Sequence, residues 1–240
     1  MARVSALLLA TLVSYPLGLA LGQPWLLPVL NAAPAYTLMV MLLLRSDRRG
    51  AVAAMLAWAA AVALCGTAAF ALWPTPVDGM VIHGPQYRDE MFHWIRTGAG
   101  AESSPRLFLP QHAAHLALFV ASSLATASLL SIAMGAVLMN YMSFYVASLA
   151  RAGAPAWAVV FFGWQPWALC RVAAFATLGA VLAEPLLLRV SVLRRPYGGL
   201  RAARPYLIAA SAALVADVVL KAALAPAWGL ILRRVLPGSG

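Results

Sequence analysis

Charge and cysteine are both scarce in this sequence. Only 10% of its 240 residues are charged, 63% are hydrophobic, and the mean hydropathy is +0.85. A soluble domain is about one quarter charged, so a water-soluble globule is excluded, as are a disordered chain and a coiled coil. The two cysteines, Cys65 and Cys170, lie within or beside apolar runs, which indicates neither a disulfide scaffold nor a thiolate metal site. The class that remains is an integral membrane protein.

Lysine is almost absent, because of the 17 basic residues only Lys221 is a lysine. The formal net charge of +10 could suggest a nucleic-acid partner. The arginines, however, lie in short gaps between long apolar runs, which is typical of cytoplasmic loops that set membrane topology. We therefore expect a multi-pass protein of the plasma (inner) membrane that contacts the lipid bilayer and no nucleic acid.

Long apolar runs predict an all-α fold, a polytopic transmembrane helical bundle of about seven spans within a range of roughly six to eight. Most runs are close to the roughly 20 residues that cross a ~30 Å hydrocarbon core. Residues 1–22 could also be a cleaved signal peptide, but a first helix is favoured because another apolar run follows at once. The predicted spans are Val4–Gly22, Leu26–Leu44, Ala51–Trp73, Ala113–Ala150, Pro155–Leu169, Val172–Leu188 and Pro205–Leu232.

Residues 74–111 form the one long polar stretch, and they separate an N-terminal membrane segment, 1–73, from C-terminal membrane helices, 112–240. The stretch holds four of the seven acidic residues and two of the four histidines. Apolar residues at helical spacing over 87–95 predict a short amphipathic helix within it, lying on the membrane surface.

The arginine distribution predicts which segments are cytoplasmic. Three arginines within 45–49 mark one cytoplasmic loop, so the parity of the spans places the polar stretch 74–111 on the external side. Arg151 and the five arginines of 189–204 are predicted to be cytoplasmic as well.

The four histidines lie within residues 83–115 and are candidate metal ligands. His112 and His115 are three residues apart at a predicted helix start, and Asp89 and His93 are four apart on the predicted surface helix. Side chains at these spacings share a helix face and could hold Zn or Cu. The alternative is a set of interfacial histidines that bond to headgroups, water and loop backbone, and this alternative is favoured.

A polar stripe continues below His115 through Ser122 and Thr126, with further serines nearby. Such a stripe could line a water path. Hydroxyl groups in membrane helices more often bond to their own backbone or to a neighbouring helix.

Four ionisable residues lie within the apolar half of the chain: Asp217, Lys221, Glu184 and Arg171. Charges at membrane depth are expensive and commonly functional. Asp217 and Lys221 are four residues apart in one run, so they could neutralise each other, or they could act as a coupling or interface element. Glu184 and Arg171 are further candidates for partners facing the bundle interior.

An ordered pattern runs through about residues 105–230. A polar approach leads to a long uncharged stretch, a proline-interrupted turn opens the next span, a basic loop follows, and the final span contains an acid and a proline. The residues that carry this pattern are Phe108, His112, Ile132–Tyr145, Gly163–Trp167, Leu169–Leu188, Asp217 and Pro226.

This pattern resembles the stage II sporulation protein M family of bacterial and archaeal membrane proteins. The family often has a His-Gly and a Glu at the turn, where this chain has Trp164-Gln165-Pro166-Trp167, and the N-terminal spans are additional. The resemblance implies a non-enzymatic membrane component that works in a complex with cell-wall-remodelling partners, and it transfers no catalytic residue.

Three functions are compatible with these observations. The leading one is a non-enzymatic scaffold or accessory subunit that associates with lipids and with other membrane subunits or a second copy of itself, because no phosphate-binding loop, nucleophile elbow or catalytic carboxylate pair is present. The second is a transporter or permease subunit with the four buried charges around a path. The third is a metal-binding membrane enzyme at the His-rich segment. Charges converging on a cavity favour the second, and converging histidines and carboxylates favour the third.

Overall fold

The computed structural model describes residues 2–73, 75, 77–190 and 199–237, and over these residues the regular structure is helical, without strands. A short 3₁₀ helix at Asp78–Met80 accompanies the α-helices. The α-helices are α1 (Ala2–Leu21), α2 (Leu26–Leu44), α3 (Arg48–Leu72), α4 (Gly84–Thr97), α5 (Pro105–Thr126), α6 (Leu129–Arg151), α7 (Ala156–Phe162), α8 (Pro166–Val190) and α9 (Gly199–Val235).

Seven of the described helices are long and apolar enough to cross a membrane, namely α1, α2, α3, α5, α6, α8 and α9. The predicted helical bundle of about seven spans is therefore confirmed. The 19 residues of α2 extend about 28 Å at 1.5 Å per residue, which matches the hydrocarbon thickness. The shorter helices α4 and α7 fall well below that length.

The spans of the second half differ from those predicted. The run Ala113–Ala150 forms parts of two helices, α5 and α6, because Ala127 and Ser128 both adopt left-handed backbone angles (φ 49° and 67°) and reverse the chain within two residues. Arg171 does not divide two spans, since it lies inside α8.

This redistribution also changes the predicted topology. A guanidinium nitrogen of Arg151 donates to the Trp73 carbonyl at the end of α3 (3.2 Å), so Arg151 lies at the same end of the bundle as the polar stretch. The prediction that Arg151 shares a side with the loop 45–49 is therefore wrong. The centre of the predicted basic loop 189–204, residues 191–198, lies outside the described residues. The bundle end that carries residues 77–104 is called the polar end below.

A network of neutral polar side chains joins α1, α2, α3 and α6. The Tyr15 hydroxyl donates to Asn140 Oδ1 (2.8 Å), and Asn140 Nδ2 donates to Asn31 Oδ1 (3.3 Å). Asn31 in turn donates to Ser14 Oγ (3.1 Å), and its carbonyl accepts from the Trp58 indole (2.9 Å). All five residues are buried. This neutral network integrates α1 into the bundle and agrees with a first transmembrane helix.

Helix α4 closes the polar end. Its residues Met91, Trp94 and Ile95 are fully buried against α6 and α9. The Trp94 ring passes over Gly229 of α9, where a Cβ would lie 3.2 Å from the indole. The predicted amphipathic helix is therefore confirmed, but its apolar face packs on protein rather than on the membrane surface.

Candidate functional site

A cavity of about 380 Å³ lies between α4, α5, α6, α8 and α9 at the polar end. Its volume falls within the roughly 300–1,000 Å³ of typical ligand sites. We call it the charged cavity because its lining includes Glu90, Glu102, His112, His115, Arg171 and Lys221.

Arg171 reaches across from α8 to α9. Its Nε donates to Asp217 Oδ2 and its Nη2 to Asp217 Oδ1, both at 2.9 Å, which is the bidentate geometry that suits a carboxylate. Arg171 lies five residues after Pro166, about 8 Å from the start of α8. The pair therefore lies in the outer part of the bundle rather than at its centre.

Lys221 forms a second ion pair one helical turn further along α9. Its ammonium donates to Glu102 Oε1 (2.9 Å) and lies 4.8 Å from the centre of the Phe108 ring. The second oxygen of Glu102 accepts from the Trp167 indole (3.3 Å). Lys221 is 2% exposed, so its charge is stabilised by these protein groups instead of by bulk water.

These contacts correct the predicted pairing of Asp217 with Lys221. Both side chains form ion pairs, but each does so with another element, Asp217 with α8 and Lys221 with the segment before α5. The four-residue spacing on α9 aligns them along one helix face, and tertiary packing supplies partners with better geometry.

His112 lies beside the Arg171–Asp217 pair. Its Nδ1 is 3.4 Å from Asp217 Oδ2 without hydrogen-bond geometry, and this buried nitrogen has no hydrogen-bond partner within the described residues. His115 lines the same cavity one turn further into α5. The site thus contains two imidazole rings beside its charged groups, and the Nδ1 of His112 is buried next to Asp217.

Two α4 residues outside the spans have shifted pKa values. Burial, with the nearby charge of Glu102, raises the pKa of the Tyr87 phenol well above its usual value, so it stays protonated as a hydroxyl donor at the cavity wall. Hydrogen bonds to Asp89 and Asp78 raise the pKa of Arg88 on the outer face of the helix.

Glu184 lies at the opposite end of the bundle. Its carboxylate accepts from Arg48 Nε (2.7 Å), and Arg48 also donates to the Ala202 carbonyl (2.8 Å). Three of the four predicted intramembrane charges therefore gather near the charged cavity, and Glu184 instead joins α3, α8 and α9 at the other end.

The predicted metal ligands are spread over two faces of α4 and the start of α5. His93, His112 and His115 line the charged cavity, whereas Asp89 is bound to Arg88 on the outer face. Among the described residues, no group of three or more His, Cys, Asp or Glu side chains is placed to hold a metal ion. The Zn or Cu site stays a prediction from the sequence.

The serine stripe of α5 is bonded within the protein. Ser122 donates to the Phe119 carbonyl (3.1 Å) and Thr126 to the Ser122 carbonyl (2.7 Å). Ser128 donates to the Gly179 carbonyl of α8 (2.6 Å). These contacts agree with hydroxyl groups that satisfy helix backbone rather than line a water path.

No protein-family model, curated protein or solved structure matches the chain. The resemblance to the stage II sporulation protein M family accordingly rests on the ordered sequence pattern alone, and the site has to be interpreted from its own chemistry.

The sequence did not indicate that Glu102 of the cavity lining pairs with Lys221, or that Trp167 donates to Glu102. Glu102 is one acid among four in the polar stretch, and nothing local marks it as the partner of a lysine 119 positions away. One signal was available, because a lone lysine inside an apolar span requires an acid from another element.

Proposed function

We propose that the protein is a transporter or permease component of the plasma (inner) membrane that binds its ligand in the charged cavity. The observation that carries this proposal is the convergence of Arg171, Lys221 and Glu102 on one cavity at the polar end, with Asp217 paired to Arg171 beside it. Buried charges are costly in a membrane protein and commonly mark ligand or ion sites. A scaffold that only packs against partners has no need of them.

The cavity offers groups that can recognise a ligand without breaking the bundle. Arg171 donates to Asp217 through Nε and Nη2, so its Nη1 remains available to donate to a ligand. Lys221 donates one of its three ammonium protons to Glu102, so the other two remain available. His112 lines the cavity as well, and its Nδ1 is buried 3.4 Å from Asp217 Oδ2. A charged ligand group can therefore exchange with either ion pair, and such exchange is the kind of two-state contact on which alternating access depends.

Filling the cavity tests this proposal. Ala101 lines the charged cavity from the loop before α5, and Ala99 is an exposed residue of the same loop that does not line it. Wild-type protein and the variants Ala101→Trp and Ala99→Trp would be extracted gently and denatured, and the released small molecules and lipids identified by mass spectrometry.

We expect at least one compound to be retained by the wild type and by Ala99→Trp and lost from Ala101→Trp, with all three unfolding at similar temperatures. If Ala101→Trp folds normally and releases the same compounds as the wild type, the cavity holds no ligand. That result would favour the accessory-subunit prediction instead.

A further inference from the structure

The charged cavity continues into an apolar groove. A second cavity of about 500 Å³ shares His115, Tyr141 and Phe175 with it and extends along α5 and α6 past Leu118 and Val137. A third space of about 50 Å³ lies at the inner end, where α3 and α8 meet the same two helices. The three spaces follow one another because each shares lining residues with the next.

The groove has the depth of one membrane leaflet. On α6 its lining runs from Tyr141 at the charged cavity to Ile132 at the inner space. The two positions are nine residues apart, which corresponds to about 14 Å at 1.5 Å per residue, and half of a ~30 Å hydrocarbon core is about 15 Å. An acyl chain whose headgroup lies at the polar end would reach the bilayer midplane in this space.

The groove is accessible from the lipid. Helix α5 packs against α6 and α8, and its buried residues are Phe108, Phe119 and Ser123. Leu118 lines the groove and is 54% exposed, and Trp25 at its outer rim is 72% exposed. Tryptophan at this level is typical of the membrane–water interface. A bilayer lipid can therefore enter sideways beside α5, without passing through water.

The charges of the cavity select the headgroup. Its lining contains two cations, Arg171 and Lys221, and two carboxylates, Glu90 and Glu102. Within the described part of the chain, the Glu90 carboxylate accepts a side-chain hydrogen bond only from Gln86 of its own helix (3.2 Å). A phosphate can bond to the remaining donors of the two cations, and an ammonium can bond to the carboxylates. An anionic headgroup without an amine would leave the two carboxylates facing it.

We propose that the ligand of this site is a zwitterionic phospholipid, with its phosphate and amine in the charged cavity and one acyl chain in the groove between α5 and α6. This inference rests on the proposed function and names the substrate class of the same site.

Gly135 provides a variant that blocks the groove. It lines the inner space, and a Cβ built on it meets nothing within 4 Å, so a larger side chain enters open volume. Gly135→Leu should therefore fold and exclude the chain. Ala121→Leu places the same leucine side chain at an exposed position of α5 that does not line the groove, and it is the matched control.

Delipidated protein would be titrated with dioleoyl phosphatidylethanolamine and, separately, with dioleoyl phosphatidylglycerol, and bound lipid counted by native mass spectrometry. We expect the zwitterionic lipid to bind about tenfold more tightly, equivalent to about 1.4 kcal/mol. Gly135→Leu should abolish this preference, and Ala121→Leu should keep it. Soluble glycerophosphoethanolamine, which has the headgroup without chains, should bind at least about tenfold more weakly.

Equal binding of the two lipids, unchanged by Gly135→Leu, would mean annular lipid only and would overturn the inference. If glycerophosphoethanolamine binds as tightly as the lipid, or if the compound released in the Ala101→Trp comparison is a water-soluble solute, the groove has no role in binding. The inference then fails, and the proposed ligand-binding function stands. If Ala101→Trp folds normally and no compound differs from the wild type in that comparison, both the proposed function and this inference fail.

Discussion

Two groups of buried polar side chains lie in this bundle, and they are built differently. The neutral network of α1, α2, α3 and α6 consists of a phenol, two amides and a hydroxyl bonded to one another, and of an indole that donates to the backbone carbonyl of one of the amide residues. The Tyr15 ring also packs edge-on against Phe70, with ring centres 5.7 Å apart. The charged cavity instead has full charges, and open volume lies beside them.

The difference indicates separate roles. Neutral groups that bond to one another inside a bundle fix how its helices pack, and they have little reason to exchange partners. Ion pairs are expensive to bury, and a hydrophobic replacement of similar volume often stabilises a protein more. Ion pairs that border a cavity are therefore better explained by ligand binding than by stability.

The largest effect is expected from Asp217→Asn. The substitution leaves the Arg171 guanidinium without a charged partner, and breaking a buried pair in this way costs about 3–5 kcal/mol. We expect about 3 kcal/mol, at the lower end, because the Arg171 side chain is 23% exposed. Unfolding by SDS titration of the detergent-solubilised protein measures it.

The matched control is a double-mutant cycle. Asp217→Asn with Arg171→Met should recover most of the loss, since no unpaired charge remains, and the coupling between positions 217 and 171 should exceed that between 217 and 221. A larger coupling with Lys221 would show that the helical spacing along α9, and not the contact with α8, determines the pairing.

A smaller effect is expected from Tyr15→Phe in the neutral network. The change removes the hydroxyl that donates to Asn140 and leaves an amide oxygen without this donor, which should lower the free energy of unfolding by about 1–2 kcal/mol. Lipid binding to the groove should be unchanged. A loss of lipid selectivity in this variant would mean that the neutral network and the charged cavity are coupled and do not have separate roles.

The smallest effect is expected from Glu184→Gln, which alters a buried ion pair at the opposite end from the charged cavity. Glu184 accepts a single bond from Arg48, which the glutamine amide oxygen can keep, and Arg48 also keeps its bond to the Ala202 carbonyl. Asp217, in contrast, accepts two bonds from Arg171, and an asparagine has only one oxygen for them. Stability should therefore fall by only about 1 kcal/mol in Glu184→Gln. Ligand retention, measured as for Ala101→Trp, should equal that of the wild type. Reduced retention would instead support a path along the whole bundle, with all four buried charges beside it.

The first three spans were predictable because apolar length and the ~30 Å core determine them almost directly. In the second half the total agrees because one span too few over 113–150 is offset by one too many over 155–188, where α7 is only seven residues long. The α5–α6 boundary was not predictable, because residues 113–150 contain no charge, glycine or proline pattern that marks a two-residue reversal at Ala127 and Ser128. The intramembrane charges were identifiable as unusual residues. Their partners were not, because Asp217 and Lys221 are neighbours on a helix whereas Arg171 and Glu102 approach only through the tertiary fold.

The tight reversal between α5 and α6 has a consequence for how the protein enters the membrane. The reversal at Ala127 and Ser128 contains no polar loop that could be moved across the membrane or kept on one side of it. The Ser128 hydroxyl donates to the Gly179 carbonyl. Neither α5 nor α6 therefore has its own orientation signal at that end. We therefore expect the two helices to insert as one unit, a helical hairpin whose direction is set by the polar segment before it and by Arg151 after it.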